Sequence, residues 1–134
     1  MAETYTLHVA GLTRELTICK VNDHMDIAAF IMLGDAELTV AAAAELLKKC
    51  PDFDILLTAE AKGIPLAHEM SRQSGKRVLV VDDVISTGGS LKALDALAEQ
   101  TQCTIVGQAA VLAEGDAAER KAIIFLEPLP LFFH

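Results

Sequence analysis

The second half of the chain carries runs of consecutive apolar residues: DILLTA at 54–59, VLVV at 78–81, TIVGQAAVLA at 104–113 and AIIFL at 122–126. These runs barely alternate. A strand with one face in water alternates apolar and polar residues, whereas one covered on both faces does not. Stretches long enough for helices separate the runs, and that rhythm predicts a parallel sheet of about four strands flanked by helices, an α/β layer fold. The stretch 65–73 is the first such helix, with Pro65 in its first turn. Ser90 to Gln100 is the next, and EGDAAERK at 114–121 is a brief helical link.

The N-terminal third behaves differently. Tyr5, Leu7 and Val9 alternate with polar residues, break at Gly11, and resume through Leu16 and Ile18 to Val21. This predicts a β-hairpin turning over Gly11 to Arg14. Asp23 or Asp26 then caps a short helix running to Leu33 and closed by Gly34. Asp35 caps a longer helix, AELTVAAAAELLKKC, with Leu38, Ala41, Ala42 and Leu46 on one face and Lys48-Lys49 at its negative end. The apolar, proline-broken tail EPLPLFFH packs as a lid or an edge. The division is a single domain, 1–134, with 1–34 as an N-terminal segment and 35–134 as the α/β core.

Composition narrows the function classes. The 134 residues include 11 Lys and Arg against 19 Asp and Glu, a formal net charge of −8, with no local basic patch to attract nucleic acid. The mean hydropathy of +0.38 suits a packed globular protein. No apolar run approaches the ~18 to 20 residues of a membrane span, and the N-terminus lacks a signal-like pattern, so a cytoplasmic location is expected. Cys19, Cys50 and Cys103 lie far apart, as do the four histidines, so neither a disulfide framework nor a direct metal site is expected.

Ligands of open parallel sheets bind beyond the carboxyl ends of the strands. Two connections leaving that rim have anion-binding chemistry. After VLVV come Asp82, Asp83 and then Ser86, Thr87, Gly88, Gly89 and Ser90. The hydroxyls, the exposed backbone N–H groups of the glycines and a following helix N-terminus make a phosphate seat. The two acids would repel that phosphate, and their natural partners are vicinal hydroxyls or a hydrated divalent cation. A sugar phosphate satisfies both halves. After DILLTA come Glu60, Ala61, Lys62 and Gly63, where Lys62 at a helix start is placed for a second phosphate. The spacing fits neither G-x-G-x-x-G nor a P-loop. Glu114, also following a strand, either faces the ligand or caps the next helical turn.

The run VLVVDDVISTGGS resembles the phosphoribosyl-pyrophosphate (PRPP) motif of type I phosphoribosyltransferases. TAEAKGIPLAHEMSR is similar to the pyrophosphate loop and helix of the adenine phosphoribosyltransferase-like branch, as is the tail LAEGDAAERKAIIFLEPLPLFF. The resemblance implies that Asp82 and Asp83 face the ribose hydroxyls, that Ser86 to Ser90 cradle the 5′-phosphate, and that Glu60 to Gly63 contact pyrophosphate. It implies a purine-covering hood near Lys20 and Val21, Mg²⁺ arriving with PRPP, and exchange of pyrophosphate for a purine base through an oxocarbenium-like transition state.

The chain departs from that family between Gly75 and Lys76, where the family carries one more core strand and a flexible catalytic hairpin. The join is clean and resembles an excision. Without the hairpin the reacting centre stays wet, so transferase activity is expected to be very low or absent. The helix after Gly63, formerly the crossover to the lost strand, now leads straight to the PRPP strand. If it keeps its family face, that crossover is left-handed, against a right-handed preference of ~98%. The exposed sheet edge favours a homodimer or an exchange of segments. The leading expectation is a domain that binds PRPP or a purine nucleoside monophosphate. The alternatives are a working minimal enzyme, a PRPP-sensing regulatory module and an engineered folding scaffold without a ligand.

Overall fold

The computed structural model describes residues 3–59, 62–75, 77–89, 92–94, 96 and 105–133, with the backbone alone at 77–80. Glu60, Ala61 and Ser90, three of the expected site residues, lie outside the described set, as does most of the helix expected over 90–100.

The chain opens with strands β1 (Thr4–Val9), β2 (Leu12–Asn22) and β3 (Met25–Ala28), followed by helix α1 (Ala36–Lys49). Strand β4 (Ile55–Thr58), helix α2 (Ile64–Ser74) and strand β5 (Arg77–Ile85) come next. Strand β6 (Gln108–Glu114), a 3₁₀ turn η1 (Gly115–Glu119), β7 (Ile123–Leu129) and β8 (Leu131–Phe133) complete it. Two sheets result, with orders β1-β2-β3-β8 and β4-β5-β6-β7. All pairings in the second are parallel, as the apolar runs predict.

Three local expectations are corrected. The hairpin turns at Ala10 and Gly11, where φ is 52° and 76°, so two residues suffice and Leu12 to Arg14 already belong to β2. Positive φ at both central positions is the geometry whose twist matches the flanking strands. The helix expected before Gly34 is replaced by β3, paired to β2 on one side and β8 on the other. Asn22 accepts a hydrogen bond from the His24 amide (2.8 Å), an Asx turn that reverses the chain, while Asp23 pairs with Lys20 instead of capping a helix. Finally, β5 does not stop at Val81. Its ladder to β6 continues through Asp82↔Ala110, Val84↔Leu112 and Ile85↔Ala113, so Asp82 and Asp83 lie within a strand rather than in the loop after it.

Helix α1 begins as expected, with Asp35 accepting from the Leu38 amide at 3.0 Å. The same carboxylate is gripped by Arg14 of β2 through Nε (2.7 Å) and Nη2 (3.1 Å), tying the N-terminal sheet to the helix. Burial joins them further. Leu7, Val9 and Leu16 share one apolar cluster with Leu38, Ala42 and Leu46 of α1, Leu66 and Met70 of α2, Val81 and Val111. Each of the Leu, Val and Met side chains withdrawn from water contributes about 1.5 to 3 kcal/mol.

Helix α2 therefore lies on the α1 face of the parallel sheet. Leu94, on the way from β5 to β6, packs in a second cluster with Ala110, Ala113, Ala117 and Ile123 on the opposite face. The steps β4→β5 and β5→β6 cross the sheet in the same direction on opposite faces, so their hands differ. One of them is left-handed, against the strong right-handed preference. The link β6→β7, through Ala117 of η1, shares the face and hand of β5→β6, and the α2 crossover has the other.

Candidate functional site

Three connections leave the carboxyl-end rim of the parallel sheet: β4 to α2, β5 to the following helix, and β6 through η1 to β7. Each contributes side chains to one region.

After β5 the chain turns at Ser86-Thr87-Gly88-Gly89. Gly88 has φ 83°, a conformation that strains any residue with a Cβ. Gly89, residues 92–94 and Ala96 are helical, and the Lys92 amide donates to the Gly88 carbonyl at 3.1 Å. Asp82, Val84, Ile85 and the turn from Ser86 to Gly89 line a pocket of about 140 Å³. Asp82 and four of the five expected phosphate-seat residues are therefore gathered in one concavity.

The two acids have different surroundings. Successive residues of a strand point to opposite faces. Asp82 lines the pocket and accepts from the Asp83 amide at 2.8 Å. Loss of hydration, then the proximity of the Asp83 carboxylate, pushes its pKa up to about 6. Asp83 is buried, 3% exposed, with Oδ1 accepting from the Val84 amide at 2.9 Å. Its Oδ2 has no hydrogen bond, and Lys62 Nζ stands 3.5 Å away as its counter-charge.

That ion pair brings the β4–α2 connection onto the same rim, as the sequence predicts for Lys62. Gly63 closes the approach. A Cβ there would strike Thr58 Oγ1 and come within 3.4 Å of Asp82 Oδ1 and the Val81 carbonyl. Glycine is needed here for proximity rather than for its dihedral angles, since φ is −76°.

The β6–β7 connection adds what sequence reading missed. Arg120 Nη2 donates to the Thr87 carbonyl at 3.1 Å, and Nη1 stands 2.5 Å from where a Cβ on Gly88 would project. Arg120, Glu114, Gly115, Asp116, Leu131 and Phe133 line a cleft of about 460 Å³ that shares Ser86 and Thr87 with the phosphate-sized pocket. The signal was available, because the loop after the third strand of a parallel sheet emerges on the same rim. Glu114 faces this cleft and makes no side-chain cap on η1. Lys20 and Val21 line neither cavity. They sit exposed at a register shift in β2. The N-terminal sheet reaches the site instead through its edge strand β8, which brings Leu131 and the 73%-exposed ring of Phe133.

Residues 72–127 match the family model described as "Phosphoribosyl transferase domain". Over that stretch the chain is similar to phosphoribosyl transferase domains. Among curated relatives, an adenine phosphoribosyltransferase of Xanthomonas campestris pv. campestris (strain B100) is 55% identical over 47 residues, 35% of this chain and 25% of the relative. One from Symbiobacterium thermophilum is 39% identical over 56 residues, 42% of this chain and 33% of the relative. The chain thus spans a quarter to a third of the length of these relatives. The matched segment contains β5, the Ser86–Gly89 turn, Glu114 and Arg120, while β1 to β3 and α1 fall outside the match. Among the described residues no helix is long and apolar enough to cross a membrane, and no group of three or more His, Cys, Asp or Glu is arranged to hold a metal ion.

Proposed function

We propose that this chain binds PRPP or a purine nucleoside monophosphate on the carboxyl-end rim of its parallel sheet. The observation that carries the reading is the pocket shared by Asp82 and the Ser86–Gly89 turn, which puts a carboxylate beside two hydroxyl side chains and two glycines. The 5′-phosphate takes the backbone and hydroxyl donors of the turn. Ionised Asp82 accepts from the ribose hydroxyls, and the base lies toward Phe133 and Leu131 in the adjoining cleft, where an exposed ring offers a stacking face. Lys62, at the opposite side of Asp83, meets pyrophosphate.

Magnesium fits this arrangement as a companion of PRPP. Asp82, which lines the pocket, is an oxygen acceptor of the kind that holds a hydrated Mg²⁺, an ion that keeps several of its waters and binds through few carboxylates, whereas Asp83 Oδ2 is buried against Lys62. The bound ion would supply charge neutralisation of pyrophosphate.

Transfer itself is proposed to be slow. Only Gly75 and Lys76 stand between α2 and β5, which leaves no length of chain there to fold over the rim. A water-exposed centre weakens every electrostatic contact on which an oxocarbenium-like transition state depends. Incubation with adenine and Mg·PRPP, followed by chromatography for adenosine monophosphate, tests this part. Ligand binding without turnover agrees with it, and turnover at the rate of a full-length relative assayed alongside contradicts it.

A further inference from the structure

Arg120 belongs to none of the residues that a phosphate turn requires, yet its guanidinium is built into this one. Its backbone is pinned on both sides, the Arg120 amide donating to Ala117 O (3.2 Å) and the Ile123 amide to Arg120 O (3.2 Å). From that fixed point the side chain reaches 33 residues back along the sequence to the Thr87 carbonyl, while Nη1 hangs over Gly88. A guanidinium has five N–H donors, and the Thr87 bond uses one.

The electrostatic setting makes this position informative. The turn supplies only neutral donors, and besides Arg120 the charged side chains lining its pocket and the adjoining cleft are the acids Asp82, Glu114 and Asp116. Lys62 is engaged by Asp83. Among the described residues no ion pair within 4.0 Å engages Arg120. A dianionic phosphate in that pocket would meet uncompensated acids unless a cation stands beside it.

We propose that Arg120 supplies the positive charge of the phosphate seat and so selects phosphorylated ligands over their neutral nucleosides. The inference rests on the nucleotide-binding reading above. Charge-assisted hydrogen bonds are shorter and roughly twice as strong as neutral ones, and the planar guanidinium matches phosphate geometry in a way an ammonium does not.

The test uses ribose 5-phosphate, which carries the phosphate without a base, titrated into the wild-type chain, Arg120→Gln and Arg120→Lys. Calorimetry reads affinity, and phosphorus NMR across pH reads the second ionisation of the bound phosphate, which lies near pH 6 in a free monoester. Arg120→Gln is expected to weaken binding about tenfold and to move that ionisation upward, with Arg120→Lys between it and wild type. Arg120 is exposed, so both variants should melt with the wild type. If wild type binds and Arg120→Gln binds equally well, the inference fails while the nucleotide-binding reading stands. Weaker binding with an unmoved phosphate titration also overturns it, assigning Arg120 to bracing the Thr87 turn. If wild type binds neither ribose 5-phosphate nor adenosine monophosphate, the nucleotide-binding reading fails first.

Discussion

Lys62 Nζ stands 3.5 Å from Asp83 Oδ2, so the connections after β4 and β5 are joined across the rim by one ion pair. The two ends differ: the lysine side chain is 56% exposed and the aspartate 4%. Removing the lysine leaves a buried carboxylate oxygen that has no hydrogen bond. Lys62→Met should therefore destabilise the chain by about 1 kcal/mol, above what an ordinary surface pair contributes yet below the loss of a fully buried one. Urea unfolding at neutral pH measures it. No change would mean that Asp83 does not depend on Lys62.

Gly63 and Thr58 form a steric pair. Gly63→Ala should cost about 1 to 3 kcal/mol, because the new Cβ strikes Thr58 Oγ1, which must move to make room. Adding Thr58→Ala removes the obstructing hydroxyl and should recover much of that loss. A double-mutant cycle gives the coupling, and strict additivity would contradict the contact.

Asp82 makes stability depend on pH in an unusual direction for a carboxylate. Its folded pKa is about 6, above the ordinary 3.8, because burial and the neighbouring Asp83 disfavour the charged form. The folded state then holds the proton more tightly than the unfolded state. The stabilising contribution is complete below about pH 3.8 and is lost as pH rises through about 6. Asp82→Asn should flatten that decline when denaturant midpoints are compared between pH 4 and 7. Glu69 acts in a different window. Arg72 and then Gln73 lower its pKa to about 2, so its contribution is present above about 4.5 and is lost only toward pH 2.

Asp35 couples the N-terminal sheet to α1 by capping the helix and receiving Arg14. Asp35→Ala should cost about 2 kcal/mol, a cap loss of roughly 1 kcal/mol joined by the loss of a two-pronged Arg contact. Glu37→Ala removes only an exposed partner of Arg14 and should stay within about 0.5 kcal/mol. Equal losses from the two substitutions would place the strength of this corner in Arg14 alone.

What could be read from the residues follows the range of the forces involved. The unalternating runs gave the parallel sheet, and Asp35 gave the start of α1, because burial periodicity and capping are local signals. The segment before Gly34 defeated local reading. Met25 to Ala28 became a strand only because β2 and β8 were there to pair with it. The strand end at Val81 failed similarly: a carboxylate pair looks like a loop in sequence, yet the β6 ladder holds Asp82 and Asp83 in extended form. At the site, the turn Ser86 to Gly89 was legible through its glycines. Arg120 and Phe133 were not, since each arrives from a distant element by long-range pairing. The opposite hands of the crossovers on either side of β5 were open until Leu66, Met70 and Leu94 were placed on their faces.

The central claim is that the pocket at the end of β5 is a working phosphate seat. Titration of the labelled chain with adenosine monophosphate, then Mg·PRPP, followed by amide NMR, tests it most directly. Saturable shifts centred on Thr87, Gly88 and Gly89, with smaller shifts at Asp82 and Asp83, are the predicted result. A dispersed spectrum in which those amides stay still at millimolar ligand would contradict it.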